Sequence, residues 1–464
     1  MGPTAALCKF ATGLNRSDVP DEVMERSLYI TLDGIGCGLF ASHLEWSRRA
    51  VEALTEDEGP GAGVIWGWGQ GTSATLSALL NGTFIQGSEL DDYHPYPLHS
   101  CACVLPSVFG ATAVTPKMSG EDAAVAIVVG LETGPRIAQS MGGIDLLHHG
   151  WHCGPVYGTI ASGAAASRAL GLSEEQAEDA IGIAATQACG LMSAQFEAMV
   201  KRMHSGFAAR NGLTGAILAR RGFTGIRAVL ERDYGGFAST FTNGNFDLAP
   251  LTDGLGKRWT LTDIAIKPPY SCMGSLHTPI EAAVDMQAKD GLRVDDVEHV
   301  RIGFPTVAWG HAGWKLERPA TAIGAQMNAS YAVAITLLDG EPSVLQFAPA
   351  RINADDVWAL MERIETYPDE RLDELGHSYR FSARLEVTTR SGKKLEREIQ
   401  YPKGYPARAH TNEEIVAKFR RIMGYVIDEP RQQEIIDAVL NLPSAPNTSH
   451  LLTAIGKAAR NPFE

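Results

Sequence analysis

What the chain lacks narrows it first. No apolar run is long enough to cross a bilayer; the longest uncharged stretches, around 93–116 and 180–196, are broken by Gly, Pro, Ser, Thr or Gln and read as buried protein. Basic residues form neither a cluster nor a tail, and the net charge is −14. That balance disfavours nucleic acid and anionic membrane as partners. Cysteine is sparse: seven residues, at 8, 37, 101, 103, 153, 189 and 272, odd in number and scattered. Cys101-Ala-Cys103 lacks the two-residue spacer of a zinc or redox pair, so neither a disulfide scaffold nor an iron–sulfur motif is expected. A reducing, cytoplasmic setting follows. The opening Met1-Gly-Pro-Thr-Ala-Ala-Leu-Cys-Lys-Phe10 has no charged stretch leading into an apolar one, so no signal peptide is read. There is no internal repeat and no low-complexity segment.

Several catalytic signatures are missing as well. Gly67-Trp-Gly-Gln-Gly71 lacks the Lys-Ser/Thr of a phosphate loop, and no G-x-S-x-G elbow occurs. His94 and His99 are close in sequence, as are His148, His149 and His152, but no H-E-x-x-H or carboxylate triad accompanies them. No metal site and no cofactor is expected.

What is present is an ordinary globular composition, 45% hydrophobic and 20% charged over 464 residues, enough for two or three folding units. Up to about residue 250 the pattern is helical and rich in Ala and Gly. A long helix opens near Pro20, with Asp18 as its cap, and runs towards Phe40 with Gly34, Gly36 and Gly38 at close helix contacts. Gly63–Gly69 is a short β-like piece, and a helix over Thr72–Leu80 is expected to end at Asn81-Gly82. Further helices are predicted over 123–142, 159–170, 173–190 (capped by Ser173), 208–221 and 225–232.

After Gly254 the texture changes. Trp259–Ile266 and Val297–Phe304 alternate as strands, and Arg380–Thr389 pairs with Leu395–Tyr401 across Ser391-Gly392. Helices are predicted over 276–287, 323–338 and 355–364, then over 413–426, 432–442 and 449–458. The fold expected is mainly α: a large helical domain from 1–254 and 405–464, built from both chain ends, plus a smaller α+β domain over 255–404.

Four polar clusters interrupt this scaffold. The first, Glu89-Leu-Asp-Asp-Tyr-His-Pro-Tyr-Pro-Leu-His-Ser100, packs three carboxylates, two imidazoles and two phenols around two prolines that forbid regular structure. The second is the loop Gly150-Trp-His152-Cys-Gly-Pro-Val-Tyr157. The third runs from Met199-Val-Lys201-Arg-Met-His204 to Arg210-Asn211. The fourth is Lys267-Pro-Pro-Tyr270-Ser-Cys272 to His277. Cationic and imidazole groups of this kind suit a small polycarboxylate and proton transfer at carbon. A polyanion would need such a local basic pocket against the global negative field. His43, His299, His311, His377, His410 and His450 are read as surface or core residues, and Asp91-Asp92 has the alternative role of capping helix ends.

Asn81-Gly82-Thr with Glu89-Leu-Asp-Asp and His99-Ser, then Gly150-Trp-His152, Lys201-Arg-Met-His204-Ser-Gly-Phe-Ala-Ala-Arg-Asn-Gly, Lys267…His277 and Arg318-Pro…Tyr331, resembles the MmgE/PrpD family in order and along nearly the whole chain. The wording is most similar to its fungal-type decarboxylase branch, with Glu89 where the family's first Asp stands and His99-Ser-Cys in place of His-Pro-Ser. The resemblance implies a helical domain with an α+β lid, a homodimer and no required cofactor. It implies a lyase that decarboxylates cis-aconitate to itaconate; the same pocket type also serves dehydration of 2-methylcitrate and epimerisation of small dicarboxylates. On that reading His99 is the proton donor and Lys201 and Lys267 are the catalytic cations. Tyr93, His152, His204, His277 and Tyr331 orient substrate, and Asp92 holds a histidine or lysine in place. A non-catalytic polycarboxylate binder would keep the lysines without turnover.

Overall fold

A computed structural model describes residues 1–464 apart from the side chain of His377, so the expectation for His377 lies outside the described residues. The protein is mainly α, with a small α+β part. One apolar core draws on residues between Leu7 and Ile266 and between Ile415 and Ile455, joined by Val344. A second core, between Tyr270 and Leu395, underlies a four-stranded sheet. The closing helices Asn412–Met423 and Glu429–Leu440 therefore pack back onto the helical part, against helix Asp21–Ala41.

Three glycines allow that packing. A Cβ on Gly34 would meet Leu105 Cδ1 at 2.7 Å, one on Gly36 Phe419 Cδ2 at 2.8 Å, and one on Gly38 Trp66 Cε3 at 2.9 Å. Each would force a neighbour to move, so the roughly 1 kcal/mol helix penalty of each glycine is offset by close packing on three sides. Helix Cys153–Ala169 lies between Gly120–Ser140 and His204–Arg220 through Ala and Gly faces. Ser173 caps Glu174–Ala185 reciprocally: its Oγ accepts from the Gln176 N–H at 3.2 Å, and its own N–H donates to Gln176 Oε1 at 3.1 Å.

The strands are β1 (Gly63–Ile65), β2 (Gln70–Thr72), β3 (Val297–Phe304), β4 (Ile364–Pro368), β5 (Ala383–Thr389) and β6 (Lys394–Ile399). β1 and β2 form a small antiparallel pair; the larger sheet has the order β4-β3-β5-β6, with β3 and β4 parallel and the other pairings antiparallel.

Several local expectations are corrected. Asp18 accepts from the Asn15 N–H at 3.0 Å and closes the turn Arg16–Asp18, so it does not cap the long helix, which starts after Pro20. Helix Ala74–Ile85 runs straight through Asn81-Gly82. There Asn81 donates to Val64 O at 2.9 Å and accepts from the Trp66 N–H at 3.0 Å, and a Cβ on Gly82 would sit 2.7 Å from Gly206 Cα. The pair is a helix-packing device here, not a turn. Residues 225–232 form no helix, because the Gly225 and Ala228 amides are taken by the Asp179 and Glu178 carboxylates at 2.9 and 2.8 Å. Trp259–Ile266 is no strand: Thr260–Asp263 turns, and Ala265 alone bridges to Tyr93. The 323–338 helix breaks into Ala322–Gln326 and Ala329–Asp339, since the Asn328 side chain accepts from the Tyr331 N–H at 3.0 Å and starts a new helix. Of the loop 150–157, residues from Cys153 onward are already helical.

Candidate active site

The 89–100 segment is positioned at both ends. Helix Ala74–Ile85 and a short turn, Gln86–Ser88, deliver Glu89 in a left-handed conformation (φ 58°). Tyr93 then pairs with Ala265 through N–H···O bonds of 2.9 and 2.7 Å, which ties the segment to the stretch carrying Lys267. At its far end Asp92 accepts from the Ser100 and Cys101 amides at 2.9 and 3.0 Å. Asp92 is therefore the cap of helix Ser100–Ala111, and it faces the helix, not a lysine or a histidine. Burial and the neighbouring Asp91 push its carboxyl up to about 6.

Its neighbours form an ionic floor. Glu89 Oε1 accepts from Lys201 Nζ at 2.6 Å and from the Arg202 guanidinium. Glu89 Oε2 lies 3.4 Å from Lys267 Nζ, which also donates to the Glu89 carbonyl at 2.9 Å and stands 3.7 Å from Asp91 Oδ1. All of these side chains are buried. Burial opposes charge on Glu89, but Lys201, Arg202 and Lys267 outweigh it and hold the carboxyl well below its usual range. Burial, assisted by Arg202 and Lys267, lowers Lys201 despite Glu89.

Above the floor stand three histidines. His99 Nδ1 is 2.9 Å from Asp91 Oδ2 and 3.0 Å from the Asp92 carbonyl. Both neighbours are acceptors, so Nδ1 carries the proton, and Nε2 has no hydrogen-bond partner among the described residues. His152 Nδ1 and His204 Nδ1 are 2.9 Å apart. Burial, with Lys201 nearby, holds His204 down at about 4 and His152 well below the usual imidazole range, so this pair is neutral near pH 7.

A cavity of about 130 Å³ opens onto this floor, lined by Glu89, Tyr93, His99, His152, Lys201 and Lys267. Of the residues expected at the site, these five beside Glu89 are brought together, and His204 backs them through His152. Asp92, His277 and Tyr331 do not line the cavity. His277 is buried against the Cys272 carbonyl, and burial pushes it down to about 3. The Tyr331 hydroxyl donates to the Gln346 carbonyl inside the second core.

The sequence reading missed part of the wall. The carboxylate that contacts His99 is that of Asp91, whereas Asp92 reaches the ring only through its backbone carbonyl. Arg380, His311 and Phe381 close the mouth from the α+β part, so His311, expected as a surface or core residue, lines the cavity. No local motif marks them, because they reach the cavity only through the sheet and the Thr306–Ala312 helix. The charged residues lining the cavity are Lys201, Lys267 and Arg380 with a single carboxylate, Glu89, a net +2 inside a chain of −14. Among the described residues no group of three or more His, Cys, Asp or Glu is arranged to hold a metal ion, and no helix is long and apolar enough to cross a membrane.

A basic, histidine-bearing cavity framed by a helical part and a small α+β part agrees with the family comparisons. The MmgE/PrpD N-terminal domain matches residues 5–249 and the MmgE/PrpD C-terminal domain residues 270–443, so the chain belongs to the MmgE/PrpD family. Individual relatives are similar over their full length. The chain is 42% identical to "Cis-aconitate decarboxylase-like protein oryM" of Aspergillus oryzae, covering 97% of each. It is 39% identical to "Cis-aconitate decarboxylase" of Aspergillus terreus, over 100% of this chain and 97% of that one. A human protein named "Cis-aconitate decarboxylase" is 26% identical over 96% of this chain and 93% of its own.

Proposed function

We propose that the protein is a cofactor-independent carboxy-lyase that converts cis-aconitate to itaconate. Full-length relatives of that name support the substrate. The observation that carries the chemistry is a tautomer-fixed His99 on the wall of a cavity whose lining charge is net +2. Loss of CO₂ from the CH₂-carboxylate breaks one C–C bond and leaves its electron pair as an allylic carbanion. The charge delocalises as a dienolate onto a retained carboxylate, and a proton added at the former vinylic carbon completes itaconate.

Lys201 and Lys267 stabilise that dienolate. Glu89 shares both, so they are fixed in place before substrate arrives and need no reorganisation during reaction. His99 Nε2, when protonated, supplies the proton, and Asp91 stabilises the imidazolium. Tyr93 and His152 orient substrate, with His204 holding His152. Residues 255–404 act as the lid, and the working unit is a homodimer.

The test is to incubate the purified protein with cis-aconitate and follow CO₂ and the itaconate vinylidene protons by NMR. Itaconate is expected. Its absence, together with water loss from 2-methylcitrate, would sink the decarboxylase reading in favour of a hydro-lyase.

A further inference from the structure

The cavity's cations differ in one respect. Lys201 and Lys267 lie on Glu89. Arg380 has no carboxylate within 4.0 Å among the described residues, and the hydrogen bond it makes is long, 3.5 Å to the His94 carbonyl. Its guanidinium lies over the Phe381 ring, 4.4 Å from the centroid, half-buried at the mouth. Tyr93, 5% exposed on the same cavity wall, carries a buried hydroxyl that has no hydrogen-bond partner among the described residues. A cation half-removed from water without an anion is unfavourable, and burial pulls Arg380 below its ordinary range. The arrangement is complete only when an anion enters. A guanidinium held over an aromatic ring can receive a carboxylate through two parallel hydrogen bonds from its fork.

We propose that Arg380 binds the central carboxylate of a tricarboxylate substrate and sets the preference for tricarboxylates over dicarboxylates. This rests on the polycarboxylate reading of the site, and the reaction narrows which carboxylate is meant. The departing carboxylate must be poorly solvated and free of a cation that would hold it back. The carboxylate that receives dienolate charge belongs beside Lys201, Lys267 and the proton donor His99. The central carboxylate neither leaves nor accepts that charge, and Arg380 is the cation that remains for it.

Tricarballylate and glutarate share one carbon chain and differ by the central carboxylate, and neither can lose CO₂ through an allylic carbanion. Their dissociation constants are measured by titration calorimetry for the wild type, Arg380→Met and Arg380→Lys, beside KM and kcat for cis-aconitate. The wild type should prefer tricarballylate. Arg380→Met should weaken it about ten- to hundredfold, the range for a hydrogen bond to a charged group, and leave glutarate unchanged. Arg380→Lys, which keeps charge but loses the fork, should fall between. For cis-aconitate, KM should rise more than kcat falls.

Equal weakening of both ligands would mean a merely structural role and would overturn the assignment, as would a wild type without preference. If Arg380→Met does not fold, Arg380→Lys decides: unchanged discrimination there overturns the proposal. Arg380-dependent tricarballylate binding without itaconate formation would defeat the decarboxylase reading and keep Arg380. Itaconate formation with discrimination intact in Arg380→Met would do the reverse.

Discussion

The floor and the mouth of the cavity are built on opposite principles. On the floor, each buried charge has a partner: Glu89 meets Lys201, Arg202 and Lys267, and Asp91 meets His99 and Lys267. At the mouth, Arg380 faces the cavity with no carboxylate beside it among the described residues. The floor is assembled by folding and contributes to holding the helical and α+β parts together, whereas the mouth waits for a ligand. Charge content alone would not separate these roles; pairing does.

The largest expected effect comes from acid. His94, His204 and His277 are held neutral in the folded chain, at about 3, 4 and 3, with burial the main cause. Unfolded, each binds a proton near pH 6.5. Their stabilisation is therefore present above about pH 6.5 and is lost as pH falls towards the folded values, by about 1.4 kcal/mol per pH unit for each. Asp92, raised to about 6, works in the opposite direction below that pH. Urea midpoints measured from pH 7 down to pH 5 should fall steeply. A flat profile would mean that these histidines are not buried neutral.

Removing the shared carboxylate tests the floor directly. Glu89→Gln leaves three buried cations with one partner fewer, and a loss of about 3–5 kcal/mol is expected in denaturant unfolding. Arg380→Met at the mouth strands no charge and should stay within about 0.5 kcal/mol of the wild type. Equal losses at the two positions would erase the distinction between floor and mouth.

On activity, His99→Gln should lower kcat about 10²–10⁴-fold, the usual worth of a positioned acid or base, while the thermal midpoint holds. His311→Gln, at the mouth, should cost far less. If the two were alike, or His99→Gln remained fully active, His99 would not be the proton donor.

How far the sequence revealed this depends on where each signal lies. β3 and the Ser173 cap were legible because alternation and a capping box are local. So were the clusters around His99, His152, Lys201 and Lys267, whose Gly and Pro boundaries stand out along the chain. Asn81-Gly82 misled because the same pair that suits a turn also suits a close helix crossing, and only the facing Gly206 decides between them. Arg380 and His311 carried no local signal. Their neighbours across the cavity lie hundreds of residues away in sequence, and the sheet and the Thr306–Ala312 helix bring them there.

The adjacent pair Asp91 and Asp92 shows the same limit at the finest scale, and it supports the smallest prediction. Both are fully buried, yet His99 and Lys267 hold Asp91 below the usual carboxyl range against the cost of burial, whereas burial and Asp91 itself raise Asp92. One carboxylate lies on the histidine and the other on the helix end. Asp92→Asn keeps one acceptor for the two amides it caps and removes a repulsion, so it should cost about 1 kcal/mol or less and barely touch turnover. Asp91→Asn removes the anion that stabilises the His99 imidazolium and should lower kcat. The Asp92 carbonyl still fixes the tautomer, so the fall should be smaller than the roughly 10⁴-fold known where a lone aspartate orients the histidine. Steady-state kinetics of the two variants, with thermal midpoints, read this contrast. A larger activity loss at Asp92 than at Asp91 would reverse the two roles.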